Sequence, residues 1–376
     1  MLESCPITLT DAAIDHLRSI LEDQNDENLR LRVYVSGGGC SGLQYGMALD
    51  TVVDPDDDVF EYSGVPVILS AIDVKYLNGA EVDYIINPMG GGWVSYEKDL
   101  PTNTALPFLQ KYETNDNIRM ETLAWAQPNG WMWKIPTQER YGCGYVYCDS
   151  FTSEDGAIAE LEKTIGKSVE PIRKIKFDVG RLDKFWVKNV VAIGLSSGFL
   201  EPLQATSIHC TTMQIHILMN LTLSFTTDMN DIIYDTNIRR YNNIIGKLFD
   251  EFKDLLQLHY MTKRNDSEFW KYCKDSLERT DKVKEILEIC KHKSPSMIDF
   301  KMSHGAAGWA VWGWTLVGLG HISKETAKKT LEANSMMEYA LKRFDEINHY
   351  NRLNSVRMMK NDAFMKSLLK KEFIKK

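Results

Sequence analysis

No stretch of this chain is apolar enough over sufficient length to cross a bilayer as a helix. The longest apolar run, Trp309–Leu319, is half the necessary length and carries three tryptophans and two glycines. The opening residues MLESCPITLT have neither a basic start nor an apolar core, so no export signal is expected. Cysteine is sparse and unpatterned: positions 5, 40, 143, 148, 210, 273 and 290 form no repeat. An odd number of thiols without an export signal predicts a reduced, cytoplasmic protein. No half of the chain is extreme in charge. Residues 1–89 hold 4 Lys+Arg against 16 Asp+Glu, whereas the remainder is slightly basic. That contrast argues for two origins and against a nucleic-acid or membrane-binding arm. The seven Lys/Arg of Arg357–Lys376 read as a solvated helix face.

What is present begins with a compact α+β pattern. Thr10 is a candidate N-cap, and Ala13, Ile14, Leu17, Ile20 and Leu21 follow at helical spacing. Leu29, Leu31, Val33 and Val35 alternate with polar neighbours, which predicts a strand. Leu43–Leu49, Val59–Leu69 and Ala80–Asn87 predict further strands, and a short helix is expected from Ser70 to Asn78-Gly79. Gly37-Gly38-Gly39-Cys40-Ser41-Gly42 matches the dinucleotide string G-x-G-x-x-G. The strand-like Leu43–Met47 that follows denies it the helix N-terminus on which a pyrophosphate rests.

The segment LRVYVSGGGCSGLQYGMALD, preceded by ITLTDAAIDHLRSIL and followed by VDY, resembles the A-type iron–sulfur cluster carriers over about residues 6–88. The resemblance implies iron or an iron–sulfur cluster held by Cys40 together with a Cys-Gly-Cys pair near the domain's end. After Val82-Asp83-Tyr84 the chain runs instead into Met89-Gly90-Gly91-Gly92-Trp93. A carrier short of ligands is therefore expected. Cys143 and Cys148 lie an odd number of places apart on a strand, hence on opposite faces, and read as structural.

Beyond Trp93 the texture changes. Gly130-Trp131-Met132-Trp133-Lys134-Ile135-Pro136 is followed by the aromatic strand around Tyr141–Tyr147. Further on come Leu195-Ser196-Ser197-Gly198-Phe199-Leu200-Glu201-Pro202-Leu203-Gln204-Ala205-Thr206-Ser207, then Leu258-His259-Tyr260 and Phe269-Trp270-Lys271. In this order they resemble the flavin-dependent tryptophan halogenases from Trp93 to about residue 345. The motif residues are Trp131, Trp133, Ile135 and Pro136, which the resemblance places in a tunnel wall between flavin and substrate. It places FAD and a halide against the turn of Gly198, Phe199, Thr206 and Ser207, where a strand–turn–helix junction offers free amides. Gln204 stands where the family has its catalytic glutamate, and an amide cannot exchange a proton as a carboxylate does. Glu201 matches a position three residues earlier. The family's Gly-rich flavin turn and catalytic lysine precede the matching part.

The sequence thus predicts an α+β chain. A carrier-like domain spans residues 1–89, and a carboxy-terminal halogenase portion spans 93–376, with part of a flavoprotein sheet and a helical subdomain. Helical periodicity dominates 206–292 and 323–373, the first helix reading as an apolar one through Ile208, Thr212, Ile215, Met219 and Leu223. Trp309, Trp312 and Trp314 read as core. Implied partners are a small aromatic substrate and a flavin reductase, with a homodimer left open and no nucleic acid or membrane. Three functions compete: an oxidoreductase in which reduced flavin and oxygen oxidise a halide for transfer to an aromatic ring, an iron–sulfur module with an appendage, and a catalytically incomplete hybrid.

Overall fold

A computed structural model describes residues 5–24, 26, 28–37, 43–82, 90–112, 121–137, 140–222, 232–300 and 308–357. The chain forms two compact units. One comprises residues 1–92 with 184–192, the other residues 93–183 with 193–376.

In the first unit, helix α1 (Asp11–Gln24) starts where expected, with the Thr10 hydroxyl accepting from the Ala13 amide at 3.3 Å. Four strands follow: β1 (Arg30–Gly37), β2 (Leu43–Asp50), β3 (Asp57–Tyr62) and β4 (Val65–Ser70). They form one sheet in the order β2-β1-β4-β3, with β1 and β4 parallel and the other pairs antiparallel. The β3–β4 hairpin turns through Ser63 and Gly64, both at positive φ, the geometry that matches strand twist in two-residue hairpins. Period-two alternation puts Leu31 and Val33 of β1, and Val65, Val67 and Leu69 of β4, into a core with Ile7, Leu9, Ile14 and Leu77. The expected short helix is Val74–Leu77, its approach fixed by the Ser70 hydroxyl accepting from the Asp73 amide. Thr8–Leu9 pairs in parallel with Glu81–Val82. The rest of the expected strand 80–87, and the glycine–cysteine segment 38–42 with Cys40, lie outside the described residues.

A buried cation ties this sheet to its loops. Arg32 is 8 % exposed. Its Nε donates to Asp50 at 2.7 Å, and one Nη donates to Asp57 at 2.8 Å and to the Val52 carbonyl at 2.7 Å. Asp57 also accepts from the Asp54 amide. Burial works against ionisation here, but the Arg32 hydrogen bond and the Asp54 amide outweigh it and hold the Asp57 carboxyl below its ordinary range.

The second unit carries strands β5 (Thr104–Lys111), β6 (Leu123–Gln127), β7 (Gly130–Pro136), β8 (Arg140–Tyr147) and β9 (Ile175–Lys176) in one antiparallel sheet, ordered β9-β5-β8-β7-β6. Helix α3 (Glu154–Ile165) is capped by Ser153 and ends at Gly166 in the left-handed region, where glycine carries no Cβ penalty. Its Ala157 and Leu161 pack with Tyr141, Cys143, Tyr145 and Tyr147, which are alternate residues of β8, over one face of the sheet. The opposite face takes the paired indoles of β7: Trp131 stands across from Val146 and Trp133 across from Gly144. A Cβ on Gly144 would lie 2.0 Å from the Trp133 ring, so this glycine is the seat of that indole. Cys143 sits in the α3 core with its thiol pushed up to about 11 by burial, and Cys148 follows the strand, also buried. Both are inert thiols by environment.

A smaller antiparallel sheet joins Trp93–Ser95, Gly180–Leu182 and Gly198–Phe199. Seven helices complete the described part of the unit: α4 (Thr206–Thr222), α5 (Ile232–Tyr260), α6 (Glu268–Asp275), α7 (Asp281–His292), α8 (Trp309–Gly318), α9 (Lys324–Ala333) and α10 (Met337–Arg357). Helix α5 is the spine, packing against α4, α6, α7 and α8. One expectation changes here. Of the three tryptophans on α8 only Trp312 is core; Trp309 and Trp314 are exposed. On α4 the buried side is Thr206, Cys210, Gln214 and Leu221, whereas Ile208, Thr212, Ile215 and Met219 face outward. No helix is long and apolar enough to cross a membrane among the described residues.

Candidate functional site

The segment Gly194–Ser207 is pinned at both ends before it offers any chemistry. A short helical turn, Gly194–Ser196, is held by buried Gln214 of α4, whose Oε1 accepts from the Gly194 amide at 3.0 Å and from the Ser197 hydroxyl at 3.3 Å. Gly198 follows at φ +156°, and a Cβ there would meet the Gly180 carbonyl at 2.7 Å and the Phe249 ring at 2.9 Å. Only glycine fits this close approach. Phe199 packs edge-on against Phe177 at 5.2 Å, so its ring is spent on packing.

The chain then descends into the unit. Glu201 is fully buried. Its Oε2 accepts from the Tyr260 hydroxyl at 2.6 Å and from the Thr102 hydroxyl at 2.7 Å. The Trp131 indole faces the same carboxyl and favours its ionised form, while Oε1 accepts no hydrogen bond. Desolvation is the largest influence and pushes this carboxyl up to about 7. Three residues on, Gln204 and Ala205 both adopt left-handed backbone, at φ +63° and +50°. Such conformations cost roughly 1–2 kcal/mol each for residues with a Cβ, and they concentrate at functional turns. The Gln204 side chain meets His259 there, Nε2 to Nε2 at 3.0 Å. The turn is thus fastened to the end of α5 in register, Glu201 to Tyr260 and Gln204 to His259.

Helix α4 begins at once. Thr206 is 1 % exposed, and among the described residues its hydroxyl has no hydrogen-bond partner. Ser207 is half-buried, its carbonyl accepting from the Thr211 hydroxyl. A buried hydroxyl with an unused donor, beside the first amides of a 17-residue helix, suits an anion or a polarised carbonyl. The tryptophan pair flanks the region: the Trp131 and Trp133 centroids are 6.0 Å apart on one side of β7, as their spacing requires. Ile135 is partly exposed and Pro136 half-buried at the far end of that strand.

The structure therefore brings Gln204, Thr206 and Ser207 onto one turn and gives Gly198 and Phe199 to the strand leading into it. Thr102 was not singled out by sequence; it lies on the loop before β5 and has no local pattern to betray it. His259 and Tyr260 stood in the sequence only as part of the string Leu258-His259-Tyr260, with no role attached to either. Among the described residues no group of three or more His, Cys, Asp or Glu is placed to hold a metal.

Comparison with known proteins agrees on both parts. A family model described as tryptophan halogenase matches residues 78–335, and one described as iron–sulphur cluster biosynthesis matches residues 5–92. Tryptophan 7-halogenase KtzQ of a Kutzneria species is 34% identical over 192 residues, 50% of this chain and 34% of its own length. Iron–sulfur cluster insertion protein ErpA 2 of Methylococcus capsulatus is 48% identical over 88 residues, 23% of this chain and 68% of its own. The tryptophan 6-halogenase SttH of Streptomyces toxytricini superposes with a TM-score of 0.66 at 26% identity, covering 76% of this chain and 56% of that one. The chain spans only about a third of the length of the curated halogenases it matches (34% for KtzQ). Residues 78–335 make this chain a member of the tryptophan halogenase family, and residues 5–92 make it at the same time a member of the iron–sulphur cluster biosynthesis family.

Proposed function

We propose that the second unit supplies the turn and tunnel wall of a flavin-dependent halogenase acting on a small aromatic substrate, and that this chain by itself does not halogenate. The observation that carries the second clause is Gln204. It occupies the turn with an amide, hydrogen-bonded to a neighbouring imidazole, so no carboxylate is available there to move a proton. Glu201 does not stand in for it, because Tyr260 and Thr102 hold that carboxyl out of reach of solvent. The ring end of a flavin fits the unused Thr206 hydroxyl and the α4 amides. Its pyrophosphate end does not, since the one G-x-G-x-x-G string joins two strands. When bound, reduced flavin with oxygen would supply the oxidising equivalent. The chain's own share would be to orient an anion at Thr206 and to shield the passage with Trp131 and Trp133. FAD titrated against tryptophan fluorescence is expected to reveal no micromolar site. With FAD, a flavin reductase, halide and oxygen supplied, neither the chain nor its Gln204→Glu variant should halogenate tryptophan or indole by mass spectrometry. Brominated or chlorinated product from that variant would overturn the reading.

A second reading, an iron–sulfur carrier, is favoured by the 48% identity of the first unit to a cluster insertion protein. Cys40 is its candidate ligand, and one thiolate per chain leaves a cluster short of the four ligands it normally takes. Anaerobic reconstitution of the full chain should leave no stoichiometric cluster after desalting. A retained visible chromophore that vanishes in Cys40→Ser would establish the carrier reading instead.

A further inference from the structure

We propose that Gln204 is a positioning residue that holds His259 as the neutral imidazole with its proton on Nδ1, leaving the Gln204–Ala205 turn without fixed charge. The geometry of two contacts carries this. Nδ1 lies 2.8 Å from the Leu255 carbonyl oxygen, which has only lone pairs to offer, so Nδ1 must bring the proton. Nε2 lies 3.0 Å from the amide nitrogen of Gln204, which has only N–H groups to offer, so Nε2 must bring a lone pair. Together they allow one tautomer. Burial disfavours the imidazolium, the Leu255 carbonyl opposes that, and among the described residues no charged side chain adds to either influence. Glu201, three residues before Gln204, is turned onto Tyr260 and Thr102.

The choice of amide at position 204 is what makes the neutral ring compatible with a hydrogen bond. A carboxylate there offers lone pairs alone and would demand a proton on Nε2 while Nδ1 keeps its own. The ring would become an imidazolium paired with an anion. The inference holds whether or not a flavin ever reaches the turn.

His321 provides an internal standard of the opposite kind. Its Nε2 lies 2.7 Å from the Met261 carbonyl, which requires the proton on Nε2. The test uses the full chain labelled with 15N-histidine and long-range proton–nitrogen spectra at pH 7, with assignments from His259→Gln and His321→Gln. Two neutral rings of opposite tautomer are expected. In Gln204→Glu, His259 should become an imidazolium at pH 7, its midpoint raised by about one pH unit or more, a tenfold or larger change in proton affinity. Signals of His321 should stay in place. A wild-type His259 with its proton on Nε2, or charged at pH 7, would overturn the proposal, and that spectrum decides the matter even where a variant fails to fold. An unmoved His259 midpoint in Gln204→Glu, with His321 native, would overturn it equally.

Discussion

Replacing Glu201 with glutamine is expected to flatten the acid branch of the second unit's stability curve. The wild-type carboxyl is pushed up to about 7 by burial, against an ordinary value of 4.5. A group whose folded pKa is raised contributes stability that is complete below the unfolded value and is lost as pH rises through the folded one. The window is therefore 4.5 to about 7, and the full swing is on the order of 3 kcal/mol at 1.36 kcal/mol per unit. Glutamine keeps an oxygen for the Tyr260 and Thr102 hydroxyls and has no charge to desolvate. The variant should match the wild type near pH 4.5 and exceed it above pH 7. Glu201→Ala is the contrasting case. It removes the acceptor shared by two buried hydroxyls that lie 3.2 Å apart; they can pair with each other, which leaves one donor unmet at a cost of about 1–3 kcal/mol and should destabilise the unit at every pH. Denaturant melts of the full chain, followed by hydrogen exchange in peptides from α5 and β7, measure both. A glutamine variant as steeply pH-dependent as the wild type would refute the assignment.

The first unit should fail by a different route. Arg32→Met leaves Asp50 and Asp57 facing each other's field without their cation, in a site where the Asp57 side chain is 2 % exposed. Breaking a buried ion pair by removing one partner typically costs about 3–5 kcal/mol, because the remaining charge stays desolvated. Amide protection in β1 and β4 should fall by roughly a hundredfold or more. A loss of less than tenfold would show that water already screens the cluster. The wild-type pair also sets an acid limit. The Asp57 carboxyl is depressed below its ordinary value of 3.8, so the stability it contributes is present above that value and disappears as pH falls beneath it. The two units thus respond to acid with opposite sign.

Much of this was legible in the sequence where contrast between faces was strong. Leu31 and Val33, set between arginines and a tyrosine, could only be the inner face of a strand. Trp131 and Trp133, two places apart, share one side of β7 as the period of a strand requires. Helix α4 defeated the same reasoning. Thr206–Thr222 contains no Asp, Glu, Lys or Arg, so periodicity could not say which apolar stripe is inner. The fold buries Gln214 there because it satisfies Gly194 and Ser197, and turns Ile215 outward. On α8, nearly uniform hydrophobicity likewise hid which tryptophan is core. The Glu201 site was invisible for another reason. Thr102 and Tyr260 reach it from distant points of the chain, and no local pattern encodes a contact made only by the finished fold.

The short segment 184–192 groups with residues 1–92, although the whole of Trp93–Asp183 lies between them in sequence. During synthesis the first unit therefore emerges without its last piece. At about 5–20 residues per second, some 5 to 20 s pass before the Trp186–Val187 and Val190–Val191 hairpin leaves the ribosome. Through that interval the sheet of Arg30–Ser70 must persist on its own contacts while the strands of the second unit are already appearing. The chain's early history is one of waiting, with its first unit completed by a strand pair translated about a hundred residues after the rest of that unit.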